Sequence, residues 1–81
     1  MRNPDLLLTT LTAYQRLKLT EKDSAGYRDW TEEALDDLVE WLRKEVHELE
    51  LALIAKDREE VWREAADVAN IAAMIAQRVA Q

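Results

Sequence analysis

The sequence contains no cysteine. Disulfides are excluded, and a reducing compartment fits. With a single histidine, His47, no Cys/His cluster exists to hold a structural zinc. Oligomerisation is the remaining common way to steady a short chain. Chain breakers are equally scarce, with one Gly and one Pro in 81 residues. Alongside many Ala, Leu and Glu, that scarcity predicts an all-α fold. No apolar run approaches the roughly 20 residues needed to cross a bilayer, so no membrane partner is expected. Met1-Arg2-Asn3-Pro4-Asp5 opens a helix without a signal-peptide cleavage pattern, and a cytoplasmic location is expected. Basic residues are also outnumbered: 11 Lys and Arg against 17 Asp and Glu leave a net charge of -6. Without a basic stripe, polymeric nucleic acid is not an expected partner. Small anions remain accessible to an acidic protein if a metal bridges the two.

What is present amounts to one domain, 1–81. At this size a folded chain buries only about 60% of the surface its unfolded form exposes. Hydrophobic residues at 48% and charged residues at 35% mark it as globular and not disordered. Three helices are predicted. The first runs from Pro4 to Leu19, with Asn3 as N-cap, Pro4 at the first helical position, and Leu7, Leu8, Leu11, Tyr14 and Leu17 at helical spacing. A polar connector follows over Thr20 to Arg28 and holds the only Gly. The second helix starts between Asp29 and Thr31. Asp29-Trp30-Thr31-Glu32 reads as a capping box, with Thr31 as a competing cap. Its core-facing seam is Leu35, Leu38, Leu42, Val46, Leu49 and Leu53. The third starts at Asp57, again with a capping box, Asp57-Arg58-Glu59-Glu60. Val61, Ala65, Val68, Ala72, Ile75 and Val79 form its stripe. The short join at Ala55-Lys56-Asp57 makes the last two helices a long antiparallel αα-hairpin.

Two acid pairs carry the chemistry. Glu45 and Glu48 lie on the second helix, Glu64 and Asp67 on the third, each pair spaced i, i+3 and so on one face. With Lys56 as the centre, Glu48 and Glu64 are each eight residues away, and Glu45 and Asp67 each eleven. At about 1.5 Å per residue, four carboxylates should converge at two adjacent levels. Their flanks also carry Trp41, Ala52, Ile71 and Met74, so they do not lie on the fully solvated side. Clustered carboxylates repel unless their pKa values rise or a cation neutralises them. An all-oxygen donor set points to a hard ion, Mg²⁺ or Mn²⁺. Acids are also common enough in this chain that a single pair would read as solvated surface.

Lys44-Glu45-Val46-His47-Glu48-Leu49-Glu50-Leu51-Ala52-Leu53, followed by Glu64-Ala65-Ala66-Asp67-Val68-Ala69-Asn70, resembles the ExxE…ExxD signature of the all-α nucleoside triphosphate pyrophosphohydrolases. The MazG-like branch is the most similar. The likeness is specific over Trp30 to Met74 and weaker over Tyr14 to Trp30. It implies that Glu45, Glu48, Glu64 and Asp67 coordinate Mg²⁺, and that a metal-activated water attacks the α-phosphorus and releases pyrophosphate. Glu48 is a candidate general base. The resemblance also implies a homodimer or dimer of dimers, which suits the size argument. Asn70 fits the family's Asp-x-x-Asn and would bond a ribose or phosphate, or else be satisfied at a helix interface. The chain departs from close small relatives in the turn Ala25-Gly26-Tyr27-Arg28-Asp29-Trp30, which keeps the Gly and the Trp but lacks a Lys. Arg28 is the cation available to replace it.

Other residues have two readings. Trp30 either stacks on a nucleobase or staples the start of the second helix. Trp41 walls the pocket or packs in the core, and Trp62 lies away from the acids. Lys44 and Arg63 either reach phosphate oxygens or are solvated. Lys18 is a similar case beside a helix end. His47 points away from the acids, to the surface. The function expected is Mg²⁺-dependent conversion of a nucleoside triphosphate to monophosphate and pyrophosphate. The alternative is a non-enzymatic dimeric helical interaction module.

Overall fold

The computed structural model describes residues 3–24 and 30–80. All regular structure in them is helical: α1 Pro4–Ser24, a 3₁₀ turn Trp30–Glu32, α2 Leu35–Ala55 and α3 Arg58–Ala80. Asn3 caps α1 as expected, its Oδ1 accepting from the Leu6 N–H at 3.1 Å. α1 does not stop at Leu19. Its polar last turn stays helical to Ser24, and within it the Thr20 hydroxyl donates back to the Arg16 carbonyl at 2.9 Å. Glu21 is then tied to α3 by Arg63. Read as a connector for its polarity, this turn is in fact an interface. Ala25 to Asp29, with Gly26 and Arg28, lie outside the described residues.

α2 begins later than the sequence suggests. Trp30-Thr31-Glu32 is a 3₁₀ turn closed by the Glu33 N–H donating to the Trp30 carbonyl at 3.2 Å. The N-cap of α2 is Ala34, extended at φ -66°, ψ 146°, with no side-chain cap. Asp36 and Asp37 in the first turn still favour the helix dipole. α3 is capped as expected: Asp57 Oδ1 accepts from the Glu60 N–H at 3.1 Å.

Between α2 and α3 the chain turns through Lys56, which is left-handed at φ 57°, ψ 32°. The Lys56 N–H reaches the Leu53 carbonyl and the Asp57 N–H reaches Ala52, the paired bonds of a Schellman turn. A lysine there costs about 1–2 kcal/mol relative to glycine. α3 packs against both α2 and α1. Along α1, residues 15, 18 and 21 meet residues 70, 67 and 63 of α3, so these two helices run antiparallel. Tyr14 also stacks on Trp62, ring centroids 5.9 Å apart and nearly parallel.

The core is small. Among the described residues the buried apolar side chains are Leu38, Ala52, Ala66 and Ile71, matched in number by buried Glu33, Glu64, Asp67 and Asn70. α3 therefore buries its acid-bearing flank and not its apolar stripe. Val61, Ala65, Val68 and Ile75 are only half-buried, while Ala72 and Val79 are exposed. The reason is geometric: α1 and α2 both approach α3 from the acid side, and the described residues leave its other face open. Leu35, Val46 and Leu53 of the α2 seam are likewise exposed. The chain's accessible surface is 6023 Å², against about 5,000 Å² for a folded monomer of this mass. No described helix is long and apolar enough to cross a membrane.

Ala34→Ser supplies the missing cap acceptor. It should stabilise the fold by about 1 kcal/mol, which is roughly 4–8 °C in Tm for a domain this small. Thermal circular dichroism checks this, and an unchanged Tm would mean that the first turn of α2 is already satisfied.

Candidate metal centre

α2 brings Glu45 and Glu48, and α3 brings Glu64, to one place. One oxygen from each lies within 4.8 Å of the others. Register explains this meeting. Glu48 and Glu64 stand equally far from the Lys56 turn, and Glu45 is one helical turn beyond Glu48 on the same face. Asp67, expected at the level of Glu45, is not one of the three. Its Oδ2 lies 3.2 Å from Lys18 Nζ.

All four acids, joined by Glu21, wall a cavity of about 410 Å³. That falls within the range of ligand pockets. Lys18 and Lys22 of α1 and Lys44 of α2 complete the lining. Five carboxylates against three ammonium groups keep the space net acidic, with cations at its rim.

The acids are held at high electrostatic cost. Glu64 is 8% and Asp67 4% exposed. Glu45 Oε2, Glu64 Oε2 and Asp67 Oδ1 are buried without a hydrogen-bond partner. Each such oxygen costs on the order of 1–3 kcal/mol. Burial pushes the Glu64 carboxyl up to about 8, and hydrogen bonding with Glu60 and Glu45 and the charges of Glu45 and Glu48 push the same way. Burial also raises Glu45. The contact with Glu64 opposes that shift, and the charges of Asp67 and Glu48 add to it. Burial pulls Lys18 down, but Asp67 beside it prevails and holds the ammonium above its ordinary value. Arg63 holds Glu21 low. A convergent all-oxygen donor set, with Glu45 Oε2 and Glu64 Oε2 buried and unpartnered and no sulfur or nitrogen among the ligands, fits a hard divalent cation.

The other expected site residues divide. Lys44 is exposed at the cavity rim. Trp41 walls an adjoining cavity of about 120 Å³ that shares Lys22, Lys44 and Glu45 with the first. Asn70 sits at the α1–α3 interface, its Oδ1 accepting from Gln15 Nε2 at 3.0 Å and its Nδ2 donating to the Gln15 carbonyl at 3.2 Å. Trp30 is half-buried in its 3₁₀ turn, its carbonyl accepting from Arg78 at 3.4 Å, and it does not line the acidic cavity. His47 is exposed, as expected. Arg63 is not solvated, because Glu21 engages it through both oxygens. Lys18 lines the cavity paired with Asp67, and Glu21, which the sequence places in a connector, joins it there. Their signal was charge order: a lysine and an acid three apart on α1, facing an acid and an arginine four apart on α3.

The chain matches no family model, no curated protein and no solved structure. The functional argument therefore rests on the geometry and chemistry of this cavity.

A raised carboxyl makes the metal-free fold pH-dependent. With Glu64 near 8 when folded and 4.5 as its ordinary value, the folded chain carries a proton that the unfolded chain lacks between those limits. Stability is then fully present below about pH 4.5 and is lost as pH rises through about 8. In EDTA the unfolding free energy should fall between pH 6 and pH 8.5 by an amount on the order of a few kcal/mol, read as a falling Tm. Glu64→Gln should flatten that slope. A Tm rising over this interval would show that Glu64 ionises normally.

Proposed function

We propose that the chain is a divalent-metal-dependent nucleoside triphosphate pyrophosphohydrolase of the all-α, MazG-like kind, releasing monophosphate and pyrophosphate. One observation carries the reading: Glu45, Glu48 and Glu64 converge in a lysine-rimmed cavity where buried carboxylate oxygens have no donor. Mg²⁺, or Mn²⁺, held by Glu45, Glu48 and Glu64, with Asp67 beside them, would polarise phosphoryl oxygens and lower the pKa of a bound water. Glu48 is the candidate base. It accepts the proton of the water that attacks the α-phosphorus as the bond to the bridging oxygen breaks and pyrophosphate leaves. Lys44 at the rim reaches phosphate oxygens as a charge-assisted donor. Trp41, walling the adjoining cavity, is better placed than Trp30 to stack on a base, and Asn70 serves substrate only by leaving Gln15. The site is expected to work in a cytoplasmic setting, consistent with the lack of cysteine.

The assembly proposed is an antiparallel α2–α3 hairpin that pairs with a second copy into a helical bundle. Leu53, at 57% exposed, and Val79, at 68%, support an apolar face awaiting cover. That same exposure favours the second reading, a dimeric helical interaction module without activity. Under it the acids would hold no ion.

The deciding experiment is pyrophosphate release from a panel of ribo- and deoxynucleoside triphosphates with Mg²⁺ and with EDTA. Mg²⁺-dependent pyrophosphate with monophosphate as co-product is expected. Glu48→Gln should lower turnover by about two to four orders of magnitude with helix content unchanged. Silence across the panel, with no Mg²⁺ effect on Tm, would favour the interaction module. At 100 times its Kd, Mg²⁺ should stabilise the chain by about 2.7 kcal/mol. Sedimentation should give at least twice the 9.4 kDa chain mass. A monomer would remove the proposed bundle.

A further inference from the structure

Lys18 stands between carboxylates on two helices. Its Nζ is 3.2 Å from Asp67 Oδ2 on α3 and 3.6 Å from Glu21 Oε2 on α1. The lysine side chain is 16% exposed and that of Asp67 5%, so solvent screens this pair little. Glu21 is gripped from behind by Arg63 Nη2 at 2.9 and 2.8 Å. Lys18 thus has a fixed second partner if Asp67 is taken from it. Asp67 is the acid of the two expected pairs that stays outside the converging three, and its Oδ1 is buried with no partner. One of its oxygens is engaged by an ammonium and the other is idle. An ammonium and a divalent cation repel at such range, so they do not share one carboxylate readily.

We propose that Lys18 is a tethered counter-ion that occupies Asp67 in place of a second divalent cation, so that the free chain loads one cation, on Glu45, Glu48 and Glu64. The inference rests on the metal centre proposed above and goes further, assigning Lys18 control of how many ions that centre takes. A merely structural Lys18–Asp67 bridge would tie α1 to α3 and leave the ion count alone.

The test is a Mn²⁺ titration of the full chain, with free Mn²⁺ read by electron paramagnetic resonance and folding checked by circular dichroism. Wild type is expected to bind one Mn²⁺ per chain, and Lys18→Met two. Lys18→Met combined with Asp67→Asn should return the count to one, which pins the gained ion on Asp67. Lys18→Arg should keep the count at one. If Lys18→Met does not fold, Lys18→Gln serves in its place. A count of one in the folded neutral variants, or of two in wild type, overturns the proposal. So does a second ion that survives Asp67→Asn. No binding by wild type at all would remove the metal centre itself, a failure distinct from the others.

Discussion

The repulsion among carboxylates placed inside a helix interface governs much of this structure. Glu45, Glu48 and Glu64 meet where α2 and α3 pack, in a chain whose fully buried apolar side chains are few. A chain with so few fully buried apolar side chains has little surplus to offset such a cost. The local answers are the upward shift of the Glu64 carboxyl, driven first by its burial, and the cations around the cavity. The same pressure gives a bound cation a large effect. It would replace three unfavourable contacts with favourable ones, and its binding would release the proton that Glu64 retains.

α1 answers the charge from the other side. Lys18 neutralises Asp67, Arg63 joins Glu21, and Gln15 completes the hydrogen bonds of Asn70. These contacts form a continuous polar seam between α1 and α3, with the Tyr14–Trp62 stack as its aromatic part. A seam of this kind fixes how α1 lies on α3 more than it stabilises the pair, since each ion pair returns little beyond its desolvation cost. The apolar side chains left open on α2 and α3 are the ones the proposed pairing would cover.

Much of this was legible in the sequence, and what was not has a physical cause. Helical content, the caps at Asn3 and Asp57, the turn at Lys56 and the meeting of Glu45, Glu48 and Glu64 follow from spacing along two helices joined by a short turn. The fate of Asp67 did not, because it depends on Lys18, and nothing local says how α1 docks. Reading Thr20 to Arg28 as a connector compounded that, since it removed Glu21 from any helix and left Arg63 without a partner. The buried face of α3 was misassigned for a related reason. Periodicity locates an apolar stripe but does not say whether the same chain covers it, and here the acid flank with Ile71 is covered instead.

The Schellman turn at Lys56 has a consequence beyond capping. Exposed turns are ordinarily where chains accept insertions and deletions most easily. Here one added residue would rotate α3 by about 100° and shift it by about 1.5 Å relative to α2. Glu64 would swing away from Glu45 and Glu48 while every side chain in the cavity stayed chemically intact. The turn is thus a ruler for the site, and its length is a more stringent constraint on descendants of this sequence than the identity of the residues that form it.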